Sequence, residues 1–187
     1  KRTPLDIAAQ NNNHEVISAF LGIFDYAFED KLERLALQVD HSALRHAASN
    51  KNFLALKALL TTLQHISKEQ MRIILTHQDA SGSTALHAAT HNHNPEVLMS
   101  FFSMLQQVCS EPRQLQEALS KKDKYGYTVL HAASANRNHN VTKAFLHMLQ
   151  LAFTDKEELK KELIKQDNYK RTPLDIAAQN NNHEVIS

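Results

Sequence analysis

Apolar residues recur along the chain in two arrangements, and both are typical of helices. Short runs such as residues 5–9 combine leucine or isoleucine with a pair of alanines, while longer stretches place apolar residues at positions i, i+4, i+5 and i+8. The longer stretches are Val16/Phe20/Leu21/Phe24, Val97/Phe101/Phe102/Leu105 and Val141/Phe145/Leu146/Leu149. Such spacing places one apolar stripe along a helix, which predicts a core between helices. Phe101 and Phe145 share the same register, so we expect both to be buried.

A short phrase returns five times and divides the chain into units. It first reads Thr3-Pro4-Leu5-Asp6-Ile7-Ala8-Ala9, and its leucine returns as Leu44, Leu86, Leu130 and Leu174, at separations of 39, 42, 44 and 44 residues. Threonine followed by proline predicts a capped helix start, because a missing N–H costs nothing in the first helical turn. We divide the single domain, residues 1–187, into units of about 1–40, 41–79, 80–123 and 124–167, with a partial unit at 168–187.

Each unit is long enough to contain a third helix. Thr154-x-x-Glu157 and Ser67-x-x-Gln70 have the spacing of capping boxes, in which two side chains satisfy the backbone at a helix start. Apolar pairs spaced i,i+4 accompany these signals, namely Leu159/Leu163, Met71/Leu75 and Leu115/Leu119. Acidic turns then follow at residues 79–82, 123–126 and 167–170. We therefore predict that Thr154 caps the third helix of its unit.

The recurring phrase resembles the T-P-L-H-x-A-A signature of ankyrin repeats. The link that follows it, for example Asn92-His93-Asn94-Pro95-Glu96-Val97, is similar to the family's G-H-x-E-V with asparagine in place of glycine. The resemblance implies an all-α, ankyrin-like solenoid of stacked helical repeats. An ordinary ankyrin repeat has about 33 residues, so the extra length here fits a third helix per unit. Lys170 stands where the other acidic turns have glycine, so we expect short, irregular turns and doubt that β-pairing forms there.

The resemblance also implies a protein–protein interaction module, because ankyrin proteins bind partners through their turn tips and the links after their first helices. The matching tip positions here are Ser81, Ser83, Tyr125, Tyr127, Tyr169 and Arg171. The matching link positions are His91, His93, Asn136 and Arg137. Tyrosine and arginine are enriched at binding hot spots, so Tyr125, Tyr127 and Arg137 are the first candidates on the concave face. The alternative interpretation is that these side chains are ordinary solvated surface.

Charge, composition and motifs argue against other classes of function. The net charge is +1, from 21 basic and 20 acidic residues, which gives no footprint for nucleic acid. No apolar run approaches the roughly 20 residues that span a membrane. His87, His91 and His93 suggest a metal site, but His87 and His131 stand at the signature histidine, which is structural in the family. We find no phosphate-binding or nucleophile motif, so we predict no metal, no cofactor and no enzymatic activity.

Residues 1–18 and 170–187 are identical, although the interior units agree only at their signature positions. The copy is explained by a recent duplication, by a longer array or by engineering. It leads to an alternative function, a structural or engineered scaffold that self-associates head to tail. The single cysteine, Cys109, allows no internal disulfide and fits a cytoplasmic location. The stretched units are also similar to ankyrin proteins that intracellular bacteria secrete as effectors, which implies the host cytoplasm.

Overall fold

The fold is a stack of short helices joined by tight turns. The computed structural model describes residues 4–11, 13–27, 41–50 and 53–180, and it describes only the backbone of residue 6, residues 20–21 and residues 23–27. The predicted cap at Thr3, the side chains of Phe20, Leu21 and Phe24, and the last seven residues of the copied segment therefore lie outside the described residues.

Three kinds of helix alternate along the described chain. The first helices of the units are Pro4–Gln10 (α1), His41–Ser49 (α3), Ala85–Ala89 (α6), Val129–Ser134 (α9) and Pro173–Gln179 (α12). The second helices are His14–Ala27 (α2), Phe53–Leu63 (α4), Pro95–Val108 (α7) and His139–Ala152 (α10). The third helices are Lys68–Thr76 (α5), Pro112–Leu119 (α8) and Lys156–Leu163 (α11). The predicted all-α solenoid is confirmed, and the described residues contain no β-strand.

The first helices begin as the repeated phrase predicts. Thr84, Thr128 and Thr172 are the N-caps of α6, α9 and α12, and each accepts a hydrogen bond from the backbone three residues later. The side chain at that third position accepts from the N-cap backbone in return, so each start is a complete capping box. The return acceptor is His87 in α6, whereas it is Asp175 in α12.

The core lies between successive units. First helices pack on first helices, and α2 packs on α4 as α7 packs on α10. Phe101 and Phe145 are both fully buried, which confirms their predicted place in the core. Val16 departs from its predicted stripe because it is 38% exposed, while Ile17 beside it is buried. Within the described residues α2 has a neighbouring unit on one side only, so part of its apolar face stays open.

The third helices support the following unit. Helix α5 packs against α7 and α8 packs against α10, so these two third helices contact the second helix of the next unit. The amide Nε2 of Gln116 in α8 also donates to the Ala152 carbonyl at the end of α10, over 3.1 Å. The four leucine and methionine residues of the pairs Met71/Leu75 and Leu115/Leu119 are buried. The extra length of these units therefore belongs to the packed structure and not to loops.

One predicted cap is wrong. Ser67 and Gln70 form the expected capping box at α5, but Thr154 does not cap α11. The N-cap is Asp155, whose Oδ1 accepts from the backbone N–H groups of Glu157 and Glu158 at 2.8 and 2.9 Å. A carboxylate is favoured over a hydroxyl at this end because it also interacts with the positive end of the helix dipole.

The turn tips are more regular than expected. Gly82, Gly126 and Lys170 occupy equivalent positions with φ values of 74°, 79° and 64°, so Lys170 adopts the left-handed conformation of the two glycines. Each donates its N–H to the carbonyl of the aspartate three residues earlier. In the described residues, β-pairing at the tips consists of an isolated antiparallel bridge between Lys122 and Thr128.

Candidate functional site

Each tip is organised by one aspartate. In the tip at residues 123–127, Oδ1 of Asp123 accepts hydrogen bonds from the backbone N–H groups of Tyr125 and Tyr127, at 2.8 and 2.9 Å. The backbone N–H of Asp123 donates to the Tyr127 carbonyl over 2.9 Å. Asp79 and Asp167 form the same bonds in their own tips. A single carboxylate therefore fixes the backbone on which each pair of candidate tip residues stands.

The tips are also joined to one another along the stack. The N–H of Lys124 donates to the Ser81 carbonyl over 2.7 Å, and the N–H of Asn168 donates to the Tyr125 carbonyl over 3.0 Å. The side-chain amide of Asn168 adds a bond to the Lys124 carbonyl. Three consecutive tips thus form a continuous hydrogen-bonded edge, and their side chains have fixed spacings.

Cations and tyrosines alternate on this edge. The ammonium of Lys124 lies 4.9 Å from the centre of the Tyr125 ring, and the guanidinium of Arg171 lies 5.0 Å from the Tyr169 ring and 5.5 Å from the Tyr127 ring. Arg171 also donates to the Tyr127 hydroxyl. We call these five residues the tip row. Tyr125 and Tyr169 in this row are 49% and 67% exposed.

Arg171 has a structural role as well. Its Nε donates to Oδ2 of Asp167 over 2.9 Å, and the Asp167 side chain is inaccessible to solvent. Burial alone would raise the pKa of Asp167. The N–H donors of Arg171 and Tyr169 and the guanidinium charge outweigh it and hold the pKa below its usual range. The Arg171 side chain therefore stabilises the tip itself, whereas Tyr169 contributes its backbone N–H.

The two signature histidines connect each first helix to the next tip. Nδ1 of His87 accepts from the Thr84 N–H, and Nε2 lies 3.1 Å from the Tyr127 carbonyl, so Nε2 carries the hydrogen. His131 repeats this with Thr128 and the Arg171 carbonyl. Burial lowers the pKa of both rings below the ordinary value of 6.5, although the carbonyl bonds favour the charged form. Both histidines are therefore neutral structural links, as the resemblance implies.

Asparagines connect the links on the other side of the first helices. The amide of Asn50 donates to the Ala9 carbonyl over 2.7 Å, and Asn92 donates to the Ala48 carbonyl over 3.2 Å. Asn136 continues the series to the Thr90 carbonyl at 2.5 Å. Each asparagine therefore satisfies a carbonyl near the end of the preceding first helix. Asn136 is buried and hydrogen-bonded, so its main contribution is to the stack.

A groove of about 560 Å³ lies between the tips and links of units 3 and 4. It collects seven of the predicted binding residues, namely Ser83, His91, His93, Tyr125, Tyr127, Asn136 and Arg137. Ser81, Tyr169 and Arg171 lie outside its lining. His93 Nδ1 is 3.1 Å from Oδ1 of Asn136, and His91 Nδ1 is 3.2 Å from the His87 carbonyl.

The sequence interpretation missed two participants in this surface, Asp123 and Lys124. Asp123 lines the groove and builds the tip, and Lys124 stands beside Tyr125. The recurrence of aspartate at positions 79, 123 and 167 was the available signal, because a residue kept at every tip is expected to build the turn.

The described part of the chain contains no cluster of three or more histidine, cysteine, aspartate or glutamate residues that could hold a metal. Cys109 is half-buried, and burial raises the pKa of its thiol. A raised pKa disfavours the nucleophilic thiolate. None of the helices that the structure describes is long and apolar enough to cross a bilayer.

Comparisons with known proteins agree with this geometry. A family model for ankyrin repeats in three copies matches residues 114–187. A chain in the crystal structure of the yeast ribosomal protein Rps3 in complex with its chaperone Yar1 is similar in fold, with a TM-score of 0.61 and 22% identity. That match covers 78% of this chain and 87% of the other. No curated protein gave a significant match. Residues 114–187 therefore match ankyrin repeats, and the first helices stack on one another in the same way back to unit 1.

Proposed function

We propose that the chain binds a partner protein in the groove between the tips and links of units 3 and 4. Ankyrin repeats are generally protein–protein interaction modules. The observation that carries the proposal is the convergence of exposed Tyr125, His91, His93 and Arg137 on one groove. In the described structure, no hydrogen bond or ion pair engages the Arg137 guanidinium, so it is available to a ligand.

The hydrogen-bonded edge favours this use. Backbone bonds to Asp123 and between successive tips hold Tyr125 and Tyr127 before any partner arrives. A preorganised surface loses less conformational entropy on binding than a mobile loop does. Tyrosine adds a large contact area and a hydroxyl, which makes Tyr125 the expected centre of the contact.

The test is a photo-crosslinking amino acid placed at position 125. We expect it to crosslink a protein in extracts of the source cells, and the same probe at Glu158, an exposed position of α11, to leave that protein unlabelled. Once the partner is purified, Tyr125→Ala together with Arg137→Ala should weaken binding at least about tenfold, as expected for hot-spot residues. Equal binding by the double variant and the native chain would place the site elsewhere.

The kind of partner, the lack of a catalytic role and the cellular location are also part of the proposal. In the similar yeast structure, the complex joins a ribosomal protein and its chaperone. By analogy of fold alone, we propose a protein partner for this chain, no catalytic role, and action in the cytoplasm. The stretched units extend the proposal to a bacterial effector acting in the host cytoplasm. Fractionation of infected and uninfected cells with an antibody to this chain tests that location.

A second candidate function, head-to-tail self-association, has one observation in its favour. Leu174 is 54% exposed, whereas its counterparts Leu44, Leu86 and Leu130 are at most 3% exposed. An apolar cavity of about 280 Å³ lies beside it, lined in part by Leu146 and Ile164. The counterpart of the second helix that covers Leu130 lies outside the described residues. We propose that the first unit of another copy packs here.

Light scattering over a wide concentration range tests this second candidate. The mean mass should rise with concentration, and Leu174→Lys should abolish the rise by placing a charge in the contact. Leu151→Lys, at an equally exposed leucine of α10, is the matched control. A constant monomer mass at all concentrations would remove self-association as a function.

A further inference from the structure

The groove and its edge carry more positive than negative side chains. The cations around them are Lys122, Lys124, Arg137, Lys170 and Arg171, whereas the carboxylates of the three tips are Asp79, Asp123 and Asp167. The whole chain is almost neutral, with 21 basic and 20 acidic residues, so this surface differs from the average.

The three carboxylates are all bonded within the structure. Asp79 accepts two backbone N–H groups and pairs with Arg45. Oδ1 of Asp123 accepts two backbone N–H groups, and Asp167 accepts two more and the Arg171 guanidinium. The side chains of Lys124, Lys170 and Arg137, by contrast, are exposed, and in the described structure no carboxylate pairs with them. Their charge is therefore directed to solvent, whereas the negative charge is bound within the turns.

We infer that the partner contributes an acidic segment, rich in aspartate or glutamate, that lies along the tip row and enters the groove at Arg137. This inference rests on the proposed function and adds the chemistry of the partner. Carboxylates of the segment pair with Lys124 and Arg137, and the exposed faces of Tyr125 and Tyr169 provide apolar contact for the side chains between them. Arginine suits the inner position because its fork binds a carboxylate through two parallel bonds.

The repeat spacing supports an extended segment over a single charged residue. Three successive tips share one geometry, and the backbone bonds from Lys124 to Ser81 and from Asn168 to Tyr125 align them in one line. The lysines at positions 124 and 170 belong to successive tips of that line. An extended acidic peptide therefore meets one exposed lysine on each of two successive tips, at non-equivalent positions of the turns.

Peptide selection with a random phage-displayed library on the immobilised chain tests the inference. We expect enrichment of peptides rich in aspartate and glutamate. Their binding should weaken about tenfold or more in Lys124→Glu with Arg137→Glu, and it should weaken with added salt because exposed charges are screened. Lys160→Glu with Lys161→Glu, on the exposed face of α11, is the matched control and should bind as the native chain does.

The outcomes separate this inference from the proposed function. Selected peptides that lack acidic enrichment, but lose binding in Tyr125→Ala, would overturn the acidic partner and leave the groove as the binding site. Peptides whose binding is insensitive to both Tyr125→Ala and the double charge reversal would overturn both. Circular dichroism of each variant confirms folding. None of the three substituted side chains makes a hydrogen bond or ion pair in the described structure, and the lost Lys124–Tyr125 ring contact lies at the surface.

Discussion

Two junctions of this solenoid use the same helix position in different ways. Between α6 and the following tip, the neutral ring of His87 donates to the Tyr127 carbonyl. Between α3 and its following tip, the equivalent residue is Arg45, which pairs with the carboxylate of Asp79. One ring nitrogen of the histidine accepts from the N-cap backbone of its own helix, while the other donates to a carbonyl of the next tip. A guanidinium has donors only, so arginine cannot form both bonds.

The difference has a cost at the arginine junction. Nε of Arg45 is buried without a hydrogen-bond partner among the described residues. Both side chains of the Arg45–Asp79 pair are partly exposed, so solvent screens the attraction. The same stacking can therefore be linked by a neutral ring or by an ion pair. The two links are expected to differ in strength and in their response to pH.

The largest expected effect on the free energy of unfolding comes from the apolar core, against which the two polar links can be compared. Phe145→Ala should lower the free energy of unfolding by about 3–5 kcal/mol, because it leaves a cavity at a fully buried position. Leu151→Ala, in the same helix but 50% exposed, should change it far less. Urea unfolding measures both. A loss below about 1 kcal/mol for Phe145→Ala would contradict the stacking register.

The next effect compares the two links directly. His87→Ala should cost about 1–3 kcal/mol, since it removes the N-cap acceptor of Thr84 and the bond to Tyr127 in a buried site. Arg45→Ala should cost about 1 kcal/mol or less, because Asp79 keeps its backbone donors and the pair is partly exposed. If urea unfolding shows equal losses, the two links are equivalent and the comparison fails.

The stability of the two junctions should also respond differently to a fall in pH. Burial holds the pKa of His87 and His131 below 6.5 in the folded chain. The unfolded state therefore binds more protons as pH falls, and the stability present above pH 6.5 is lost as the pH falls through the folded pKa. The equivalent position of α3 holds no histidine.

Hydrogen exchange between pH 7 and pH 5 measures the separation. Amides of α6 and α9 should lose protection while those of α3 lose less. His65→Gln, which removes an exposed histidine, should leave the profile unchanged. Equal loss of protection in all three first helices would show that the histidines do not control the acid response.

Sequence periodicity predicted the fold well because helix caps and apolar stripes are local signals. The Thr172 cap follows from its Thr-Pro pair, and the burial of Phe101 and Phe145 follows from their spacing. The cap at Thr154 was wrong because Asp155 competes for the same N–H groups, and the outcome depends on where the helix starts. The exposure of Val16 depends on the helices that pack beside it, and the local sequence around Val16 does not specify that packing.

The candidate site was only partly predictable. Tyr125, Tyr127 and Arg137 were identified from the family pattern, and they line one groove. The side chain of Asn136 bonds carbonyls that lie 46 and 44 residues earlier in the chain. The side chain of Arg171 pairs with Asp167 within the folded tip. Such contacts between units are not visible in the spacing of a single repeat.

The smallest expected effect concerns the tip that departs from the glycine pattern. Lys170 adopts a φ of 64°, a conformation that costs a residue with a Cβ roughly 1–2 kcal/mol. Lys170→Gly relieves that strain but gives the unfolded chain more freedom, so we expect a net gain of roughly 0.5 kcal/mol in the free energy of unfolding.

Gly126→Ala is the opposite case at the equivalent tip, since its Cβ would lie 2.5 Å from Oδ1 of Asn168. It should therefore destabilise the chain. Thermal unfolding of both variants at neutral pH compares the two tips, and a loss of stability in Lys170→Gly would show that the lysine side chain supports its turn in a way that outweighs the backbone strain.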